Sequence, residues 1–134
     1  MNFILATDPF CPYTYLFLPK VFELLAIYKA EEHFELLLAG AYLGDKLATL
    51  NTQSDLLSDL SKLSSKIQLH PALSNSTTQL SFEINSSKPS LALAVVKHIA
   101  PMQQLNYLAS LQESFFEKGI DLNKWDVYKL LAKD

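Results

Sequence analysis

The sequence predicts an α/β chain, predominantly helical, organised on one β-α-β unit at its start. Three observations predict this. A short apolar run, Phe3-Ile4-Leu5-Ala6, is followed by a helical pattern from Pro12 to Tyr28 and then by a second apolar run, Phe34 to Gly40. From Asp45 onward the apolar residues recur at three and four, the helical spacing. The only cysteine, Cys11, lies where the first run meets the first helix.

Each element has its own reason. Phe3 to Thr7 has no polar interruption, the pattern of a strand covered on both faces. In the first helix Tyr15, Leu16, Leu18, Val21, Phe22, Leu24, Leu25 and Tyr28 form the apolar set. Pro12 suits the first turn, where a missing N–H costs nothing. Pro19 predicts a kink near Tyr15 and no stop. Lys29 to His33 is a charged connector, and the strand after it pairs in parallel with the first through a right-handed crossover. Gly40 and Gly44 bracket a loop at the carboxyl ends of the strands, the edge where open α/β sheets bind ligands. Leu47 and Leu50 predict a short helix. Ser54 predicts the cap of another, striped by Leu57, Leu60, Leu63 and Ile67. Residues 70–85, including Asn75-Ser76-Thr77-Thr78, read as irregular. Ser86 or Ser87 caps a helix that carries Pro89 in its first turn and is closed by Pro101. Met102 to Lys118 is a further helix ended by Gly119, and Asn123 caps the last. Phe115, Phe116, Trp125 and Tyr128 read as core. Residues 1–44 form the β-α-β unit and 45–134 the helical subdomain of one compact domain.

Composition excludes several functions. A net charge of −3 over 134 residues lacks the basic footprint of a nucleic-acid binder. No apolar run reaches the ~18 residues of a membrane span, and no secretory signal precedes the first strand, so the expected location is cytoplasmic. One cysteine rules out an internal disulfide. His33, His70 and His98 share no ligand spacing with one another or with Cys11, so no metal site is expected.

Chemistry concentrates at Cys11. A thiol at the mouth of a helix faces the unpaired N–H groups of the first turn. Their partial positive charge favours the thiolate, the nucleophilic form. The competing reading is a small, buried apolar residue, since cysteine is among the most buried types. Thr14 is read as a hydroxyl donating to the Cys11 sulfur, or as a solvent-facing or back-bonded threonine. Asp8 is a neighbouring negative charge or a turn-former.

A strand followed by Cys-Pro-Tyr-Thr opening a helix resembles the active-site turn of the thioredoxin superfamily. The resemblance is to its DsbA-like branch, which includes FrnE-like dithiol–disulfide isomerases. Asp8-Pro9-Phe10-Cys11-Pro12-Tyr13-Thr14-Tyr15 is similar to that branch's Asp-Pro-x-Cys-x-x-Cys-Tyr, with Thr14 where the second cysteine stands. Leu111 to Leu122 is similar to its Leu-x-x-Ala-Phe-Phe-x-Glu-Gly-x-Asp-Ile stretch. The resemblance implies a DsbA-like β-α-β unit with a large helical insertion and an incomplete sheet. The cis-proline loop and the last strands of the family's fold have no counterpart here.

The resemblance further implies a thiol–disulfide oxidoreductase or isomerase with Cys11 and Thr14 as its catalytic pair and Pro12 and Tyr13 contacting substrate. Its partners would be protein or glutathione thiols and disulfides. No resident cofactor is implied, though glutathione is a candidate, because Thr14 cannot resolve a mixed disulfide. Two alternatives stay open. Kappa-class glutathione transferases and hydroxychromene-carboxylate isomerases carry a similar Ser-Pro-Tyr-Ser-Tyr turn. A non-enzymatic module for self-association is the other. In the family the first strand is paired on both sides, so the resemblance implies an unpaired edge along Phe3–Thr7 and a homodimer joined there.

Overall fold

The computed structural model describes residues 2–49, 53–74 and 81–133. Strand β1 (Phe3–Thr7), helix α1 (Pro12–Tyr28) and strand β2 (Phe34–Leu38) form the opening unit, with a 3-10 turn at Glu31–His33 before β2. The two strands are parallel, in a register that runs from Phe3 opposite Phe34 to Thr7 opposite Leu38. Helix α1 continues through Pro19, as expected, and ends at Lys29 in the left-handed region (φ +49°).

The strand is not covered on both faces. Alternate residues point to opposite sides of a sheet, and here Ile4 and Ala6 of β1 with Glu35 and Leu37 of β2 are exposed. Ile4 keeps 63% of its surface. The apolar run in β1 is continuous because both its faces are apolar, and only the Phe3, Leu5, Thr7 face meets the core.

The two sheet edges differ. Gln104 donates to Phe34 O and accepts from Leu36 N, both at 3.0 Å, and Lys97 Nζ reaches Leu36 O at 3.0 Å. Side chains therefore seal the outer edge of β2. On β1, Thr7 O accepts from Ala39 N. By the alternation of a parallel ladder, the main-chain groups of Ile4 and Ala6 face the other way. Among the described residues no bond outside the ladder engages them.

The second half is helical with one small addition. Residues Gly44–Lys46 form a 3-10 turn and Ala48–Thr49 a short strand, β3, which pairs antiparallel with β4 (Glu83–Ile84). Leu47 thus leads into a strand and no helix, and Leu50 and Asn75 to Thr78 lie outside the described residues. Helix α2 (Ser54–Leu63) has Gln53 in the cap position, with Ser54 as its first residue. Its buried stripe is Leu56, Leu60 and Leu63, so the inner register begins at Leu56 where Leu57 was expected. Ile67 falls beyond the helix end. Pro71–Ser74 form one helical turn, α3, inside the stretch read as irregular.

Helix α4 (Ser87–Ile99) stops before Pro101, and α5 (Gln104–Phe116) follows a 3-10 turn at Pro101–Gln103. Gly119 ends this stretch at φ +64°, and its N–H bonds Phe115 O at 3.0 Å. A Cβ there would lie 2.9 Å from the His70 ring, so glycine is required for space as well as for φ. Helix α6 (Trp125–Leu131) has Lys124 in its cap position; Asn123 instead binds Asp121 Oδ1 and Glu83 O.

The core gathers Phe10, Leu18, Leu25, Leu36, Leu60, Leu93, Leu108, Leu111, Phe115 and Phe116 between the β-α-β unit and α5. Each such side chain contributes about 1.5–3 kcal/mol of transfer free energy. Phe115, Phe116 and Tyr128 are core as expected. Trp125 is not: it is 51% exposed, with Lys88 Nζ 5.0 Å from its ring centroid. Position 125 opens a seven-residue helix at the surface, where the ring meets this cation and, at 5.7 Å, the Tyr128 ring.

Candidate functional site

The turn from Asp8 to Cys11 is held on its N–H side by one carboxylate. Cys11 N bonds Asp8 O at 2.9 Å, closing the turn. Asp8 is 4% exposed. Its Oδ1 accepts from Phe10 N at 2.9 Å, the local bond of an Asx turn. Its Oδ2 accepts from Ala41 N at 2.9 Å and from Ser86 Oγ at 2.6 Å. Asp8 is a turn-former, and it also ties together three segments far apart in sequence. The loop between Gly40 and Gly44 is brought to the site by this bond, with both glycines at positive φ (62° and 61°).

Ser86 occupies the cap position of α4, but its hydroxyl is spent on Asp8, and it also receives Tyr42 N at 3.3 Å. Asn85 Oδ1 takes the capping role, accepting from Ser87 N at 2.9 Å.

Cys11 is the N-cap residue of α1, extended at φ −78° and ψ 109°, and half-buried. Its carbonyl receives the first helical hydrogen bond, from Tyr15 N at 3.2 Å. Pro12 has no N–H to offer. The amides of Tyr13 and Thr14 have no hydrogen-bond partner among the described residues, and the Cys11 side chain caps neither. Cys11 thus stands at the N-terminal end of α1, where the first amides of the helix carry its partial positive charge.

The other predicted site residues divide. Thr14 is buried, and its hydroxyl is bonded to Thr7 Oγ1 at 2.5 Å. It is therefore neither solvent-facing nor back-bonded, and the hydroxyl ties the helix start to the end of β1. Pro12 is buried; Tyr13 is partly exposed and donates to Asp59 Oδ1 at 2.9 Å. Tyr15 stacks on Phe116 at 4.9 Å and donates to Glu117. Phe10 is buried edge-on against Phe115 at 4.8 Å.

One contributor was legible only as an oddity. Gln112 sits in the inner stripe of α5, seven residues after Leu105 and four after Leu108, where the pattern calls for hydrocarbon. It is fully buried, and its Nε2 donates to Cys11 O at 3.2 Å and Pro9 O at 3.3 Å. A glutamine inside an apolar stripe was the available signal.

The tyrosines carry the clearest electrostatic signature. Burial, then the negative charges of Asp8, Asp59, Cys11 and Asp55, push Tyr42 up from 10.0 to about 12. Burial and the bond to Glu117 raise Tyr15, the bond to Asp59 raises Tyr13, and burial raises Tyr107 and Tyr128. An acid whose folded pKa exceeds its unfolded value contributes stability that is complete below the unfolded value and lost as the pH rises past it. The thermal midpoint is therefore expected to hold below pH 10 and fall between pH 10 and 12, with phenolate absorbance rising alongside unfolding. Phenolate absorbance that rises fully near pH 10 while the fold persists would contradict this.

Among the described residues no three His, Cys, Asp or Glu side chains gather as a metal site, and no helix is long and apolar enough to cross a membrane.

A parallel β-α-β unit with a helical subdomain behind it is the front portion of the DsbA-like thioredoxin fold, and the chain has that arrangement with an incomplete, two-stranded sheet. It is similar to the crystal structure of a candidate protein disulfide isomerase from Nitrosomonas europaea, with a TM-score of 0.73 and 15% identity over 98% of this chain and 62% of that one. It is also similar to the cytosolic disulfide reductase DsbM from Pseudomonas aeruginosa, with a TM-score of 0.67 and 18% identity over 99% and 63%. A form of DsbM with GSH aligns with a TM-score of 0.61 and 17% identity, over 99% and 64%. The chain thus spans under two thirds of the length of these structures. No protein-family model and no curated protein sequence matches it.

Proposed function

We propose that this chain carries the thiol site of a DsbA-like thiol–disulfide oxidoreductase or isomerase, acting through Cys11 alone. The observation that supports this is the position of Cys11: half-buried, at the N-cap of α1, a helix whose Tyr13 and Thr14 amides have no partner among the described residues. In the first step the Cys11 thiolate attacks one sulfur of a substrate disulfide. A mixed disulfide forms and the other substrate sulfur leaves as a thiolate. Thr14 has no sulfur, so an external thiolate, from glutathione or a protein, attacks the mixed disulfide. It regenerates the Cys11 thiolate and keeps the disulfide in the departing product. Thr14 serves this site by fixing the helix start to β1, and Pro12 and Tyr13 border the path of the incoming disulfide. The site works in a reducing, cytoplasmic setting, where such thiols are supplied.

The test is mass spectrometry of the protein mixed with oxidised glutathione or a disulfide-linked peptide, followed by reduced glutathione. The expected result is one adduct, on Cys11, that forms rapidly and is then removed. An unmodified thiol in the folded protein would end the proposal.

We also propose that two copies associate through β1. The support is the asymmetry of the sheet: β2 is sealed by Gln104 and Lys97, the outer edge of β1 has no partner among the described residues, and Phe3 to Thr7 carries no charge to repel its own copy. One open edge per chain gives a closed, isologous pair and no polymer. Sedimentation should show a dimer at micromolar concentration, converted to monomer by Ile4→Lys, an edge charge of the kind that blocks strand pairing. A monomeric wild type would overturn this.

A further inference from the structure

Gln112 is the fully buried polar side chain that reaches the Cys11 turn from α5, and it does so wastefully. Both amide hydrogens are used, on Cys11 O and Pro9 O, while its Oε1 is buried with no partner among the described residues. The other buried amide of α5, Gln104, has its oxygen on Leu36 N and its nitrogen on Phe34 O and Pro101 O. An orphaned buried acceptor is destabilising and calls for an explanation. A residue chosen for packing alone would be leucine, as at Leu105, Leu108 and Leu111 around it.

We infer that Gln112 is the positioning residue of the Cys11 thiol, acting through the main chain of the turn. The inference rests on the thiol-exchange reading above. Asp8 holds the N–H groups of the turn and Gln112 holds its carbonyls, so both faces of the segment are clamped. With Pro9 O and Cys11 O fixed, the peptide planes before Phe10 and after Cys11 are fixed, and the bond from Cys11 N to Asp8 O holds the one between. Those planes set the Cα–Cβ direction of Cys11 and keep its backbone extended at the N-cap of α1. Without the two donors Pro9 O loses its bond from α5 and Cys11 O keeps only Tyr15 N, so the direction of the Cys11 side chain is no longer fixed while the helix start remains. Misplacement of a reacting group by ~1 Å can cost up to about 100-fold in rate.

The test compares thiol exchange of Cys11 with an aromatic disulfide in three variants, each measured well below its unfolding midpoint. Gln112→Leu removes both donors at nearly constant volume and is expected to slow exchange at least about tenfold. Gln112→Asn keeps the amide on a shorter arm and should recover part of the rate. Gln104→Leu removes an amide of the same helix that does not touch the turn; its rate should stay within about twofold of wild type. The sign separates positioning from loosening, because local loosening exposes a half-buried thiol and speeds its modification. An unchanged or faster rate in Gln112→Leu, or an equal fall in Gln104→Leu, would overturn the inference. If Gln112→Leu does not fold, Gln112→Asn against Gln104→Asn decides by the same criterion. A wild-type Cys11 that does not exchange at all would instead defeat the functional reading.

Discussion

Asp8→Ala is expected to be among the most destabilising single substitutions in the chain, at about 3–5 kcal/mol. The carboxylate is 4% exposed and accepts from Phe10 N, Ala41 N and Ser86 Oγ. Alanine leaves all three donors without an acceptor, and a buried unsatisfied donor costs about 1–3 kcal/mol. Removing the charge also removes its desolvation cost, so the loss stays below the sum of three hydrogen bonds. A fall in melting temperature of roughly 10–20 °C is expected. Asp8→Asn should cost less. Its oxygen still serves Phe10 N and its amide can donate to Ser86 Oγ, but the same amide then faces the Ala41 N–H. Thermal unfolding of the two variants checks both the size and the order. An Asp8→Ala protein within about 1 kcal/mol of wild type would mean that the three segments are not held by this group.

Cys11→Ser is expected to do the opposite: little to the fold and everything to the chemistry. The residue is half-buried and its side chain caps no amide, so the stability change should stay within about 1 kcal/mol. Adduct formation with a disulfide should fall by a factor on the order of a thousand or more, since a serine hydroxyl without a base is a poor nucleophile. Kinetics of mixed-disulfide formation on both proteins, with circular dichroism as the control for folding, provides the check. Exchange that survives the substitution would remove the thiol mechanism, the sequence having no other cysteine. The two variants form a pair: one breaks the frame of the turn and the other breaks only its reactive atom.

Much of the frame was legible locally. β1, α1 and β2 follow from apolar spacing, Pro12 and a charged connector, because these elements are short-range and periodic. The left-handed end at Gly119 and the break before Pro101 follow from single residues with few allowed conformations. Misplacement occurred where a partner distant in sequence overrides a local preference. Ser86 looks like a helix cap and sits in the cap position, yet its hydroxyl goes to Asp8, 78 residues away. Asn123 likewise binds Glu83 O, and Lys124 takes its place at the start of α6. Residues 47–49 have apolar character that suits helix or strand, and pairing with Glu83 and Ile84 decides for strand. Trp125 reads as core by spacing, but a short terminal helix offers only one side to the protein.

The sequence by itself determined the strand–helix–strand order, the class of fold and the placement of the one sulfur at the helix mouth, since covalent order and periodicity are enough for these. It could not determine which groups hold that sulfur in place. Asp8 and Gln112 meet the turn only after Ala41, Ser86 and α5 have been carried to it through space, and hydrogen bonds depend on distances of tenths of an ångström that no local pattern encodes. The open edge of β1 was expected from the resemblance, but the sealing of β2 was decided at the same level, since only folding brings Gln104 and Lys97 to it.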